Sequence, residues 1–318
     1  MSDAYRGETY YGRSQLKPSP FGFMVSLYIY LAGLSGSAQM LATIGDLFGG
    51  RAARGMVRRG RWLAMLGTVC GPALLIADLH TPQRFYNMLR ILRTSSPMSI
   101  GSYILTTFGL TSTVTAAAQF LADRCGWRRL LGVARAASVP ASVAGAGLSV
   151  YTAALQSSTS TPHWAVSPRS LAMRYGASSL ATAAAALSLG EHRFGDPRTA
   201  RRLDALAFGA LLVEWIASAR ARGDLRRTGV AAALSGSAPE RLERAAAGWG
   251  TLLPAGLFGA SLLLGDRGRR ASRSASLLTL ASGLALRHAI MLAGNESARR
   301  PAASFAMAQP RNLPHMES

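Results

Sequence analysis

Residues 18–45 read PSPFGFMVSLYIYLAGLSGSAQMLATIG, 28 positions without an Asp, Glu, Lys or Arg. A helix of about 20 mostly apolar residues crosses the hydrocarbon core of a bilayer, so this run is long enough to span one. Its middle is built from Gly33, Ser35, Gly36, Ser37 and Ala38 rather than from leucine. Small residues let helices approach closely, which suits a packed helix inside a membrane bundle. A cleaved leader is the rival reading, with Gly36-Ser37-Ala38 as its cleavage site. The uncharged run is longer than the roughly 7–15 apolar residues of a leader, which favours the span. Outward from it, the stretches 62–77, 94–122, 136–168, 175–190 and 245–265 also lack charge.

The charge of the whole chain has to be read against those gaps. The 318 residues carry a formal net charge of +20, and 34 of the 35 basic residues are arginine, Lys17 being the exception. A soluble nucleic-acid-binding protein would spread such charge over one face of amphipathic elements. Here the arginines cluster between uncharged stretches, only 16% of residues are charged and 49% are hydrophobic. That excludes nucleic acid as the expected partner and makes it the lipid bilayer.

The expected fold is therefore all-α: a polytopic integral membrane protein with about eight transmembrane helices in a bundle. The segments are 21–48, 61–79, 100–122, 130–156, 170–190, 203–219, 247–265 and 274–294. They form a single transmembrane domain over 1–296 that includes a polar N-terminal segment, 1–20, and they precede a polar, disordered tail, 297–318. No internal repeat is evident. Arginines in the short loops favour both termini outside the cytoplasm, although the basic residues of the long loop 220–246 nearly cancel the difference.

Cys70 and Cys125 are far apart and form no CxxC pair, so neither a disulfide framework nor a zinc or iron–sulfur site can be built from them. Both are expected to be buried, inert thiols, and no metal site is expected.

The most informative stretch is 78–101, DLHTPQRFYNMLRILRTSSPMSIG. Thr81-Pro82 has the form of a helix cap followed by a first-turn proline. Phe85, Met88, Leu89 and Leu92 then share one helical face, with Arg84, Arg90 and Arg93 elsewhere, the pattern of a short helix lying in the membrane interface. Ser95-Ser96-Pro97 ends it, and Ser99 is placed to cap the third span. On spacing alone the segment is either a polar platform for a ligand or partner, or a plain connection anchored to headgroups.

These residues resemble the most diagnostic segment of the NrfD/polysulfide reductase membrane-subunit family: Asp78-Leu79, Pro82, Arg84-Phe85, Met88-Leu89-Arg90, then Ser96-Pro97-Met98-Ser99 and Gly101-Ser102. Thr9-Tyr10-Tyr11-Gly12, the run Tyr30 to Gly36, Tyr151-Thr152 and Thr161-Pro162-His163-Trp164 agree in order, so the resemblance extends over about residues 9–190. It implies a haem-free subunit with eight helices that exchanges electrons between a quinone, often menaquinone, and a ferredoxin-like iron–sulfur partner. That partner is often bound in turn to a molybdopterin catalytic subunit. The resemblance further implies the bacterial cytoplasmic (inner) membrane, no iron–sulfur cluster held by this chain, and no activity for the chain alone. Only His288 falls inside a predicted span, whereas a bis-histidine haem needs two facing histidines. The chain departs from the family at His80 and Ala153, where glycine is common.

Tyr151 matches a family tyrosine implicated in quinone binding, and a phenol can hydrogen-bond a quinone carbonyl. An aromatic-belt tyrosine is the structural alternative. Asp78, a carboxylate at a helix end, is the candidate proton acceptor, with capping or pairing to Arg84 as its alternative. Arg84 and His80 join Tyr151 as candidate quinone contacts. Glu214, Arg287 and His288 lie within spans, where ionisable groups are costly and mark either a proton path or an intramembrane ion pair. Arg135 and Arg174 flank spans closely enough to snorkel, and Gln39 and Gln119 are polar residues that can face inward.

Two other functions remain open at this point. The chain could be a divergent structural anchor that has lost quinone chemistry, or a transporter of protons or small solutes using Glu214, Arg287 and His288.

Overall fold

A computed structural model describes residues 13–78, 83 and 89–309. In chain order its helices are α1 (Phe23–Phe48), α2 (Arg54–Ala77), α3 (Pro97–Cys125), α4 (Leu130–Ser157), α5 (Pro162–Ala165) and α6 (Pro168–Phe194). They continue as α7 (Pro197–Arg227), α8 (Val230–Leu234), α9 (Ala238–Ala247), α10 (Trp249–Leu264), α11 (Arg269–Arg299) and α12 (Pro301–Met307). No strand occurs among the described residues. Each predicted segment coincides with one long helix, and the protein is an all-α, multi-pass membrane protein. Among the described residues, five segments are long and apolar enough to cross a membrane: α1 to α4, and the stretch Ala238–Arg299. α6 and α7 do not reach that mark, because charges crowd their ends and Asp204 and Glu214 interrupt α7.

The interior mixes small hydroxyl residues with large apolar side chains such as Phe108, Trp164 and Ile290. Ser26, Ser37, Ser138, Ser178, Ser179, Thr182 and Ser188 are buried, whereas Leu66, Val69, Leu110 and Val143 are turned outward. In a bilayer the outward face meets lipid, so large apolar side chains belong there and small residues belong at helix contacts. Several buried hydroxyls return a hydrogen bond to the preceding turn, as Thr182 does to Ser178 O (2.8 Å) and Thr279 to Ala275 O (2.8 Å). α1 and α4 meet backbone to backbone, because a β-carbon at Gly145 would sit 2.7 Å from Gly36 O.

Neighbouring long helices run antiparallel, so their ends collect at two faces of the bundle. One face carries the α1–α2, α3–α4, α6–α7 and α10–α11 connections. There Asp46 binds Arg61 (3.1 Å) and Arg135 (3.1 Å), and Arg59 pairs with buried Glu191. The candidate site lies at the opposite face.

Three local expectations change. α2 starts at Arg54, seven residues earlier than predicted, because Met56 and Val57 pack into the core beside Ala53 and Leu41. The tail from 297 is helical as far as Met307: Ala303 is buried against Leu225, Val230 and Leu234, which orders it. The end of the polar N-terminal segment is pinned as well, Ser19 Oγ donating to Asn295 Oδ1 at 2.6 Å. Cys125 is exposed and Cys70 half-buried, so neither is a core thiol.

Candidate functional site

Ser96 and Pro97 start α3. The Ser96 hydroxyl accepts from Ser99 N–H (3.4 Å), so Ser96 and not Ser99 is the cap. Ser99 instead ties down the preceding chain, its hydroxyl accepting from Arg93 N–H (3.0 Å) and donating to Ile91 O (3.3 Å). The Tyr103 hydroxyl donates to Leu89 O at 2.9 Å. These bonds fold residues 89–96 back over the first turns of α3. Residues 90–96 are turn and extended chain rather than helix. The expected interfacial helix otherwise lies outside the described residues, as do His80 and Arg84.

Beneath this fold-back lies a cavity of about 540 Å³ between α1, α2, α3 and α4, reached also by Met291 of α11. Its wall is mainly apolar: Val25, Ile29, Leu75, Ile76, Leu105, Leu110 and Val114. Polar groups also line it, among them Asp78, Tyr28, Tyr151, Thr152 and Gln156. An apolar pocket with a small set of placed polar groups is the usual form of a cofactor site. Leu89, Met98, Leu110 and Val114 line it while standing exposed on the outside of the bundle, so it opens laterally towards lipid. Pro72 of α2 also lines it, and proline removes one backbone donor from the helix there.

The structure thus brings Asp78 and Tyr151 together in one cavity, although 73 positions of chain separate them. Asp78 caps the C-terminus of α2, its N–H bonded to Leu74 O (3.1 Å). Tyr151 packs directly on Gly101, where a β-carbon would overlap its ring.

Two residues that the sequence did not single out extend the site inward. Gln156 receives a hydrogen bond from the buried Tyr175 hydroxyl (2.8 Å), and its amide nitrogen stands 3.8 Å from Met291 Sδ. A glutamine at the end of a predicted span and a tyrosine inside the next carry no distinctive pattern, which is why neither was legible.

Tyr175 leads to Arg287. The guanidinium lies 5.7 Å from the Tyr175 ring and 5.6 Å from the Tyr30 ring, and it donates to Ser178 Oγ (2.9 Å), Ser179 Oγ (2.8 Å) and Gly283 O (2.9 Å). Glu214 accepts from Thr251 Oγ1 (2.9 Å) and lies near the Ser178 hydroxyl. Glu214 and Arg287 form no direct ion pair among the described residues; Ser178 stands between them. His288 is not part of this network: its Nδ1 lies 3.2 Å from Ser26 Oγ and its ring meets Phe23 edge-on.

Arg174 does not snorkel. It is buried on Glu243 (2.7 Å), which His163 also meets at 2.8 Å. Gln119 joins the arginine-rich face by accepting from Arg61, Arg135 reaches Asp46 there, and Gln39 bonds Thr43. Among the described residues, no group of three or more His, Cys, Asp or Glu side chains could hold a metal ion.

The model of the family described as "Polysulphide reductase, NrfD" matches residues 13–217, about two thirds of the chain and all of the cavity except Met291. No curated protein matches the chain.

Proposed function

Because the chain belongs to the NrfD family of membrane subunits of quinone-linked oxidoreductase complexes, we propose that the cavity beside Tyr151 and Asp78 holds the headgroup of a membrane quinone. The cavity supports this reading most directly. An apolar chamber of about 540 Å³ open towards lipid fits a ring with an isoprenoid tail, and its polar groups suit two ring oxygens. Menaquinone is the expected type, in the bacterial cytoplasmic membrane.

A quinone bound there supplies two-electron, two-proton chemistry. The residues of the chain do the rest. The Tyr151 hydroxyl hydrogen-bonds a ring oxygen, and Gly101 leaves room for its ring to lie flat against α3. The Asp78 carboxylate exchanges a proton at the mouth of the cavity. Gln156, held by Tyr175, orients an amide towards the second polar side. Leu75, Leu105 and Ile29 keep water away from the reacting ring. The electrons would go to a partner redox subunit, which we take to be a ferredoxin-like iron–sulfur protein bound in turn to a molybdopterin catalytic subunit. Glu214 and Arg287 then serve to join α6, α7 and α11.

The test is binding of a fluorescent quinol analogue to the purified chain in detergent. Saturable binding is expected, abolished when Leu105→Trp fills the cavity and weakened about 2- to 10-fold by Tyr151→Phe, the equivalent of one hydrogen bond. With the partner present, Asp78→Asn should slow turnover. Partner binding without analogue binding would leave a structural anchor; solute uptake by liposomes holding this chain alone would make it a transporter.

A further inference from the structure

A second cavity, of about 380 Å³, opens at the same face of the bundle, where α7 ends and α8 and α9 begin. Arg222 and Arg226 of α7, Arg244 of α9 and His163 of α5 all line it. Its acids are already engaged: Glu243 by Arg174 and His163, and Glu240 by Arg244 one turn along α9. Arg222 and Arg226 have no ion-pair partner among the described residues, and Arg222 feels the repulsion of Arg174, Arg226 and Arg244, which the Glu243 carboxylate partly offsets. His163 is 5% exposed, and its Nδ1 is buried with no hydrogen-bond partner. Two guanidinium groups without an ion-pair partner therefore border one open cavity, with the His163 ring beside them. That set of donors matches the oxygens of a phosphate group.

The other wall is apolar, formed by Leu225, Leu234 and Ala293, so the phosphate would carry an apolar portion. The surroundings place the cavity at the level of lipid headgroups. Trp249, at the start of α10, is 78% exposed, and Leu242 projects outward from α9, whose other side carries Glu243 and Ala246 into the core. Exposed tryptophan and an amphipathic helix are the marks of the membrane interface.

We propose that this cavity binds a phosphate group borne on an amphiphile, the headgroup of an anionic phospholipid, through Arg222 and Arg226. The site is separate from the quinone cavity and does not depend on its assignment. Occupancy would supply Arg222 and Arg226 with an ion-pair partner and would tie α8 and α9 to the bilayer.

The experiment uses the full chain, delipidated in detergent, with its melting midpoint followed as phosphatidylglycerol, phosphatidylcholine or inorganic phosphate is added. Phosphatidylglycerol should stabilise the wild type. The Arg222→Gln/Arg226→Gln double variant, whose side chains lie at the surface end of α7, should need at least tenfold more lipid, while binding the quinol analogue as the wild type does. Stabilisation by inorganic phosphate alone, lost in the same variant, would support the phosphate site and assign it a soluble source. Equal effects of both lipids, or an undiminished response in the variant, would overturn the proposal. So would protection only by a co-purified redox subunit, which would make the arginines a docking site for an acidic protein segment.

Discussion

Gly101 on α3 lies flat against the ring of Tyr151 on α4, with no room between them for even one carbon atom. The contact joins the motif that begins at Asp78 to a tyrosine 50 positions further along the chain from that glycine, and it sets how the phenol enters the cavity. Gly101→Ala must therefore displace the Tyr151 ring. The expected result is a loss of stability of about 1–3 kcal/mol, the usual range for overpacking, together with weaker quinol-analogue binding than Tyr151→Phe shows. Detergent melting curves and analogue titrations measure both. Wild-type binding in Gly101→Ala would remove Tyr151 from the site.

The α1–α4 contact makes a second prediction. Gly36 and Gly145 face each other through backbone atoms, a β-carbon on Gly145 falling 2.7 Å from Gly36 O. Backbone cannot step aside as a flexible side chain can, so Gly145→Val should cost more than the same change at Gly132, whose β-carbon position is open. Comparing the melting midpoints of the two variants decides it.

Arg287 and Glu214 should be coupled through Ser178. Arg287→Met removes a buried guanidinium and leaves Ser178, Ser179 and the carboxylate network short of a donor, at a cost of about 3–5 kcal/mol. Adding Glu214→Gln should cost less than the sum of the single changes, with a coupling of about 1–2 kcal/mol in a double-mutant cycle. Strict additivity would show that the two sites do not communicate.

The loop before α7 provides a pH test. The Asp196 carboxylate accepts from Thr199 N–H (2.7 Å) and Thr199 Oγ1 (3.0 Å), capping the helix, and these bonds hold its pKa below the ordinary 3.8. A carboxylate depressed in the folded state stabilises the fold above its unfolded pKa, and that contribution is lost as pH falls through the folded value. Asp196→Ala should therefore melt earlier than the wild type at neutral pH, and the gap should close on acidification below 3.8. A gap that persists there would mean that the cap does not act through its charge.

Much of this architecture is legible in the sequence because a bilayer imposes a length and a polarity on every helix. The long uncharged stretches mark the helices, and the segment that begins at Asp78 marks the family. Asp78 and Tyr151, chosen from the sequence, meet in the same cavity. The interfacial helix, His80 and Arg84 fall outside the described residues. The direct Glu214–Arg287 pair and the snorkelling Arg174 were misplaced, because side chains far apart in sequence choose partners only after helices have packed. Ser178 is an ordinary serine until α6, α7 and α11 bring it between a buried acid and a buried arginine. Gln156, Tyr175 and the Arg222–Arg226–His163 corner were invisible for the same reason.

The sequence alone determined that the chain is helical, lies in a membrane and has a family-specific segment, since those depend on local composition and short spacings. The tertiary structure decided which polar groups share a chamber and which arginines lack an ion-pair partner. Those relations arise where helices cross, and burial at the crossings is what makes an unpaired charge or a missing β-carbon matter.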